Sequence, residues 1–397
     1  MRKAIGMHTA SNERGFTLIE LLLSTAITLV ILGTAMTAFR DGIRVNETAS
    51  LIADANQNLR AGTNLLVRDL LQAGRGIPVG GIPIPSGTGV DPLNRPSPPG
   101  MVYEFNNTTA STLPAIVSGF DLGPAVNGEA TDMITMLAVD PTSYVEYSPG
   151  APAALLELNW TNDQTLWPTG LANPTPNLKN DGASLDVGQF TTWISDPVSG
   201  IKVGDLLLFT NALGSAVQTV TSTGPKKVYF DDDDDTFNFN QRDAPAGSIM
   251  QIGTCNGACN GANGNSNGNS GNNLTFPQTT VVRLQVVTYY VDNTTSPGVP
   301  RLVRQYNHFA PQALAGIVED LRMTFDLVDG VINPTQIADL PYTDPGGIIY
   351  TANQIRKVNL HVGVRSDTRS STRDDYLRHH LATVISIRSL AFIDRYK

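Results

Sequence analysis

Residues 16–39 read FTLIELLLSTAITLVILGTAMTAF, directly preceded by Arg14-Gly15. Apart from Glu20 and small polar residues the run is apolar. As a helix rising 1.5 Å per residue it would reach roughly 36 Å, enough to cross a hydrocarbon core of ~30 Å with some tilt. The fifteen residues before it are short and polar, with Arg2, Lys3 and Arg14 against Glu13. By the positive-inside rule this basic end stays in the cytoplasm and the C-terminal bulk lies outside. A secretory signal peptide with a small-residue cleavage site at Ala35–Ala38 is the competing reading, and a membrane anchor without assembly is another. A glutamate near the start of the apolar run, and the run's length, both fit a signal peptide poorly.

Glu20 is the anomaly, because a carboxylate inside an apolar segment is costly unless something neutralises it. If the chain is cut between Gly15 and Phe16, Glu20 becomes the fifth residue of a helix that opens with a new positive amine. In a packed filament one subunit's carboxylate could then meet a neighbour's amine, pairing two charges that would otherwise be buried alone. The helix dipole also favours an anion there. The stretch Arg14-Gly15-Phe16-Thr17-Leu18-Ile19-Glu20-Leu21-Leu22 resembles the prepilin cleavage motif of type IV pilins and type II secretion pseudopilins. That resemblance implies cleavage after Gly15 by a membrane prepilin peptidase, N-methylation of Phe16 and a docking role for Glu20. Residues 1–15 would be the leader, and residues 16–75 the N-terminal helix.

Downstream, residues 40–73 contain no proline and place Val45, Ala49, Ile52, Leu59, Leu66, Leu70 and Ala73 at spacings of three, four or seven. This predicts an amphipathic helix whose apolar stripe packs on the rest of the protein. Asn56 and Thr63 interrupt the stripe, and Gly42 and Gly62 each weaken the helix by about 1 kcal/mol relative to Ala. Gly74, Gly76 and Pro78 end it, so one continuous helix is expected from Phe16 to Ala73. The segment Asn64-Leu65-Leu66-Val67-Arg68-Asp69-Leu70-Leu71-Gln72-Ala73-Gly74 is similar to the helix end shared by PilW-type minor pilins and J-type pseudopilins.

The remaining chain is rich in Gly (36 in all) and Pro (25), with only 16% charged residues, which favours strands, turns and long loops over a helical bundle. Residues 77–100 read as an irregular surface connector without function. Strands are expected at Met133–Val139, Ala154–Leu158, Leu206–Thr210, Val217–Thr221, Lys227–Phe230 and Ser248–Ile252. Clear alternation runs from Val281 to Tyr290. Leu302-Val303 starts a further strand, Ala313–Asp320 is expected to be a short helix, and Met323, Phe325 and Leu327 alternate again. Val358, Leu360, Val362 and Val364 face one way, and Ile385 and Ile387 mark a closing strand. The expected fold class is α+β: a long N-terminal transmembrane and amphipathic α-helix packed on an antiparallel β-rich globular domain over residues 76–397. The ordering from Arg301 to Leu327 and the closing strands also resemble the PilW group, in looser form.

Net charge is −9; the first fifteen residues hold an excess of two positive charges, which leaves −11 for the remainder. An acidic exported part argues against broad nucleic-acid binding, whose phosphates require clustered Lys and Arg. Cys255 and Cys259 are the only cysteines. Two thiols without a nearby His cannot complete a zinc site, so a local disulfide is the plain reading in an oxidising compartment. Asp231–Asp235 is a run of five carboxylates, but Thr236 and Arg242 stand where an EF-hand needs Gly and Glu. A non-EF calcium site through Asp231, Asp233 and Asp235 is kept beside the reading of a solvated turn. No other cofactor or metal is expected.

Residues 256–273, dominated by Asn and Gly, read as a flexible loop. His379 and His380 are adjacent and cannot point at one metal from a helix or a strand. No catalytic arrangement stands out by local motif, so an enzyme is not expected. The resemblance implies a filament subunit instead: a minor pilin that helps prime assembly, with a J-like pseudopilin or a pilus-borne adhesin or DNA-uptake module as alternatives. The implied partners are other minor and major pilins, the prepilin peptidase and an inner-membrane assembly platform. The implied location is a single pass through the inner membrane with a periplasmic C-terminal domain, and later the filament.

Overall fold

The computed structural model describes residues 15–390, except 79, 107–109, 140–155, 159–176, 180, 188–190, 197–199, 233, 256–273, 278, 329–332 and 372–373. One continuous α-helix runs over Leu18–Gln72, two residues shorter at its start and one at its end than the pattern predicts. Gly74 adopts φ +80° and Gly76 φ +71°, a left-handed backbone that a side chain would strain, and this is what stops the helix. The chain divides into two units. One holds the helix up to Asp54 together with Ser366–Leu377; the other holds Ala55–Arg365 with the chain from Arg378. Within the first unit the Ser371 hydroxyl donates to Glu47 Oε2 at 2.6 Å, and Thr48 and Ser370 share a hydroxyl hydrogen bond at 3.4 Å.

In the second unit the helical stripe that packs is Ala55, Leu59, Gly62, Thr63, Leu66, Asp69 and Leu70, continued by Ala73 beyond the helix end. This corrects the expected stripe at both ends of its logic. Val45 and Ala49 are exposed, whereas Thr63 and Gly62 belong to the buried face. Thr63 loses no hydrogen bond by burial, because its hydroxyl donates to the Leu59 carbonyl at 2.6 Å. Gly62 is a point of close approach: a Cβ there would lie 2.8 Å from Ala315 Cβ and 3.1 Å from Leu302 Cδ2. Full burial of Leu66 and Leu70 contributes about 1.5–3 kcal/mol each.

That stripe lies in a core made by two antiparallel sheets. The larger has eight strands, ordered Gly214–Thr219, Leu206–Asn211, Thr279–Asp292, Arg301–Tyr306 and Gln312–Gly316, with Glu129–Val139 and Leu156–Leu158 also on the long central strand and Ile116–Val126 paired to Glu129–Val139. Each edge of Thr279–Asp292 serves two partners in succession. Leu206–Thr210 pairs with Thr280–Leu284, and Arg301–Tyr306 then pairs with Val287–Asp292. Asn307 fills the gap between them: its backbone N–H donates to the Val286 carbonyl at 2.7 Å and its Oδ1 accepts the Val286 N–H at 3.0 Å. The smaller sheet orders Val318–Leu327, Ile355–Ser370 and Asp375–Ser386. Val287, Tyr289 and Val291 of one sheet and Leu321, Met323, Phe325, Val358 and Leu360 of the other share a cluster with the helix stripe. The opposite face of the large sheet carries a second cluster around Leu137, Leu284 and Val286.

Three expectations are overturned. Residues 77–100 are no surface connector: Ile82, Ile84 and Leu93 are fully buried under that second face, Ile82–Pro83 pairs with Thr112–Leu113, and Leu93–Arg95 pairs with Tyr103–Phe105. Pro and Gly set the path of the chain, but the apolar residues between them decide its depth. Ser248–Ile252 is a 3₁₀ turn over Ile249–Ile252, in which Ile249, Met250 and Ile252 are all buried against Ala216 and Val220. Ala313–Asp320 is two strands rather than a helix. Ile317 takes φ +53°, and at that kink the chain leaves Gln312–Gly316 of the large sheet and enters Val318–Leu327 of the small one. Pairing outweighs the helical propensity of Ala-Leu-Ala. The expected strand at Val217–Thr221 starts earlier, as Gly214–Thr219. Of Ala154–Leu158, Leu156–Leu158 is a strand and the first two residues lie outside the described ones.

Asp69 is the one carboxylate on the buried stripe, and it is fully engaged. The Tyr289 hydroxyl donates to its Oδ2 at 2.8 Å and Arg304 Nε donates to the same oxygen at 2.7 Å. Burial, and the carboxylate beside it, push the Tyr289 hydroxyl well above its ordinary pKa, so it remains a donor. Removing one partner of such a pair leaves the other charge buried alone. Asp69→Ala is therefore expected to lower unfolding stability by about 3 kcal/mol, read as a shift in urea midpoint. Arg304→Met with Asp69→Leu and Tyr289→Phe, which removes both charges and the hydroxyl that would be left unpaired, is expected to recover most of that loss.

Candidate functional site: the helix N-terminus

The helix begins where the sequence motif lies. Gly15, Phe16 and Thr17 precede it in non-helical backbone, and Phe16 is 86% exposed. From Leu18 to Val45 the large apolar side chains stand open to the surroundings, among them Ile19, Leu23, Leu29, Met36 and Phe39. The helix is long and apolar enough to cross a membrane, and its most apolar stretch has no buried residue. Its hydroxyls are already satisfied: Ser24 and Thr25 donate to the Leu21 carbonyl, Thr28 to Ser24, Thr34 to Ile31 and Thr37 to Thr34, at 2.7–3.0 Å. Polar side chains that return their hydrogen bonds to their own helix suit an environment that offers none.

Glu20, the only ionisable side chain of residues 16–39, is held differently. Its Oε2 accepts the Thr17 backbone N–H and the Thr17 hydroxyl, both at 3.0 Å, while Thr17 Oγ1 accepts the Glu20 N–H at 3.3 Å. This is a reciprocal capping box, Thr-x-x-Glu, in which Ncap and N3 satisfy each other's exposed donors. The carboxylate is thereby folded back onto the residue after Phe16, at the positive end of the helix dipole. Both side-chain bonds end on Oε2, so Oε1 has no hydrogen bond among the described residues. Thr17 was absent from the candidate residues read from sequence. Its spacing from Glu20 was the signal that would have found it.

The other candidates stand apart from this terminus in sequence and contribute nothing to its geometry. Cys255 lies in a short strand paired with Leu274–Thr275, and Cys259 is outside the described residues, as are Asp233 and the Asn/Gly segment 256–273. In the acidic run Asp231 Oδ2 accepts the Thr221 hydroxyl, and Asp232 holds Arg242 through Nε at 2.6 Å. Asp234 is buried and accepts the backbone N–H groups of Thr236, Phe237 and Phe239 at 2.9–3.2 Å; Asp235 is exposed. Among the described residues no three His, Cys, Asp or Glu side chains converge as a metal-holding group. His380 is exposed and its ring stacks on His361 at 5.2 Å.

A long uncovered apolar helix continuous with an antiparallel β domain defines an α+β protein of pilin-like fold. Residues 10–36 match the prokaryotic N-terminal methylation motif. The match covers the start of the helix and supports a type IV pilin-like or pseudopilin-like protein. Comparison with curated proteins and with solved structures gives no match.

Because the buried core described on the helix begins at Ala55, the apolar first half and the β domain are expected to be separable. Full-length protein should sediment with membranes and resist extraction by high salt. A version lacking residues 1–39 should be recovered in the soluble fraction with its cooperative thermal transition within a few degrees of that of the detergent-solubilised full chain. Loss of the transition on deletion would show that the apolar segment supports the β domain after all.

Proposed function

We propose that the protein is a minor pilin of a type IV pilus, of the PilW type, made as an inner-membrane prepilin with its β domain in the periplasm. Prepilin peptidase cuts after Gly15 and methylates the Phe16 amine. The mature subunit leaves the membrane through an inner-membrane assembly platform and joins other minor and major pilins, where it helps to start polymerisation. The observation that supports this reading is the state of Glu20. A lone carboxylate sits in an uncovered apolar helix, capped so that it faces the junction where cleavage would create an amine. In an assembled filament the helices replace lipid as one another's solvent, and Glu20 meets the amine of a neighbour. The extended β domain supports a specialised subunit over a repeating one.

Two measurements test this. Mass spectrometry of the protein from membranes and from sheared filaments is expected to show a chain that begins with N-methylated Phe16. An untrimmed chain in cells that hold the peptidase would refute the processing. Glu20→Ala is expected to be cut normally yet to be depleted at least about tenfold from filaments, since it removes one partner of a buried charge pair. Normal incorporation would refute the pairing. Recovery in a secretion pseudopilus in place of a pilus would assign the subunit to that machine.

A further inference from the structure

The hairpin of Leu93–Arg95 and Tyr103–Phe105, the acidic turn and the end of Arg301–Tyr306 with His308 just after it line an open cavity of about 490 Å³ in the β domain. Its wall includes Arg95, which is only 4% exposed. The guanidinium donates through Nε to Thr135 Oγ1 and through its two terminal nitrogens to the Ser118 and Val117 carbonyls, each at 2.9 Å. All three acceptors are neutral, and two of its five N–H donors are left over. Burial without a counter-charge pushes the arginine down to about 9. A buried cation is ordinarily paired. Two further wall residues carry acceptors with no partner among the described residues: Oε1 of Gln305, itself 8% exposed and tied by its Nε2 to the Phe309 carbonyl, and Nε2 of His308. Burial lowers the His308 pKa, and the ring is fixed edge-on to Phe237 at 4.3 Å. Tyr103, Met101 and the 83% exposed Val102 supply an apolar lip, and the exposed Asp235 stands on the rim.

We propose that this cavity is a binding site for a sugar acid, a uronate residue of an acidic saccharide. One carboxylate answers the spare donors of Arg95, and hydroxyl groups donate to Gln305 and His308. The sugar ring lies on the Tyr103 and Met101 lip. The volume suits a mono- or disaccharide. Asp235 accepts a further hydroxyl and turns away ligands of higher negative charge, which separates a uronate from a phosphate. The site is independent of the helix terminus and of filament assembly.

The test is microcalorimetry on full-length protein in detergent, with glucuronate and galacturonate as probes, methyl glucoside as the neutral control, and acetate and inorganic phosphate as simple anions. Saturable binding of a uronate, at least about tenfold tighter than that of methyl glucoside, acetate or phosphate, is expected. Arg95→Gln is expected to abolish it. Since Arg95 also ties down two strands, Gln305→Glu is the second variant. It is close in size and places a negative charge on the cavity wall; because it also loses the Nε2 donor to Phe309, it is expected to melt somewhat lower but still cooperatively, and to weaken uronate binding at least about tenfold at temperatures where it is folded. No saturable binding of either uronate, equal binding of the neutral sugar or the simple anions, or a folded Gln305→Glu with wild-type affinity would each overturn the proposal.

Discussion

The structure depends on burying only one end of one helix. From Ala55 onward the stripe has the composition of a protein core, and two sheets close over it. From Leu18 to Val45 the same helix carries Leu, Ile, Val and Phe that stand exposed among the described residues. Apolar surface of this extent is unfavourable in water, so the uncovered half requires another apolar surrounding, lipid or the helices of further subunits. The β domain has to hold the covered half firmly enough to withstand that demand. The Asp69 pair with Arg304 and Tyr289 and the close approach at Gly62 serve this end, because each fixes the rotation and depth of the helix in a way that apolar packing alone leaves adjustable.

The elements with a strong period were readable in the chain. The apolar run, the central strand from Val281 to Tyr290, and the alternating Met323, Phe325 and Leu327 each have one physical interpretation, and each occupies the element its period predicts. Where reading failed, a long-range partner decided. Nothing local distinguishes Ala313–Asp320 from a short helix; the deciding facts are that Val303 pairs with Ala313 and that Val318 pairs with Val364. The connector 77–100 misled for a related reason, since proline and glycine mark where the chain turns and not how deep it lies. Thr63 and Gly62 were read as flaws in the stripe because propensity scales price a residue on an isolated helix, whereas here a small residue is what the facing strand requires.

Sites were less legible than elements. The cleavage motif is contiguous, so Gly15, Phe16 and Glu20 could be found together. The wall of the cavity is contributed by segments about two hundred residues apart, and nothing local to Arg95 in its Pro-rich stretch marks it as buried. Only the strand pairing of Leu93–Arg95 with Tyr103–Phe105 brings it inside. The acidic run shows the opposite failure. Five adjacent aspartates look like a ligand set, yet those described face different ways: Asp234 bonds inward to three backbone amides, and Asp232 bonds to Arg242.

The capping box is compatible with the proposed use of one carboxylate in both a solitary subunit and an assembled one. In the single chain Glu20 Oε2 takes both Thr17 donors, so the charge is stabilised locally and the helix start is fixed. A carboxylate has two oxygens and room for about four hydrogen bonds, and Oε1 has made none. An approaching amine therefore does not need to break the box; it can add to it from the other side. Local capping alone leaves a net negative charge in an apolar setting. Under the proposed pairing a neighbour's amine supplies the missing charge, and the box holds the receiving oxygen in place before the partner arrives, so little side-chain entropy is lost on docking. Under that pairing Thr17 is a positioning residue for the contact proposed for Glu20.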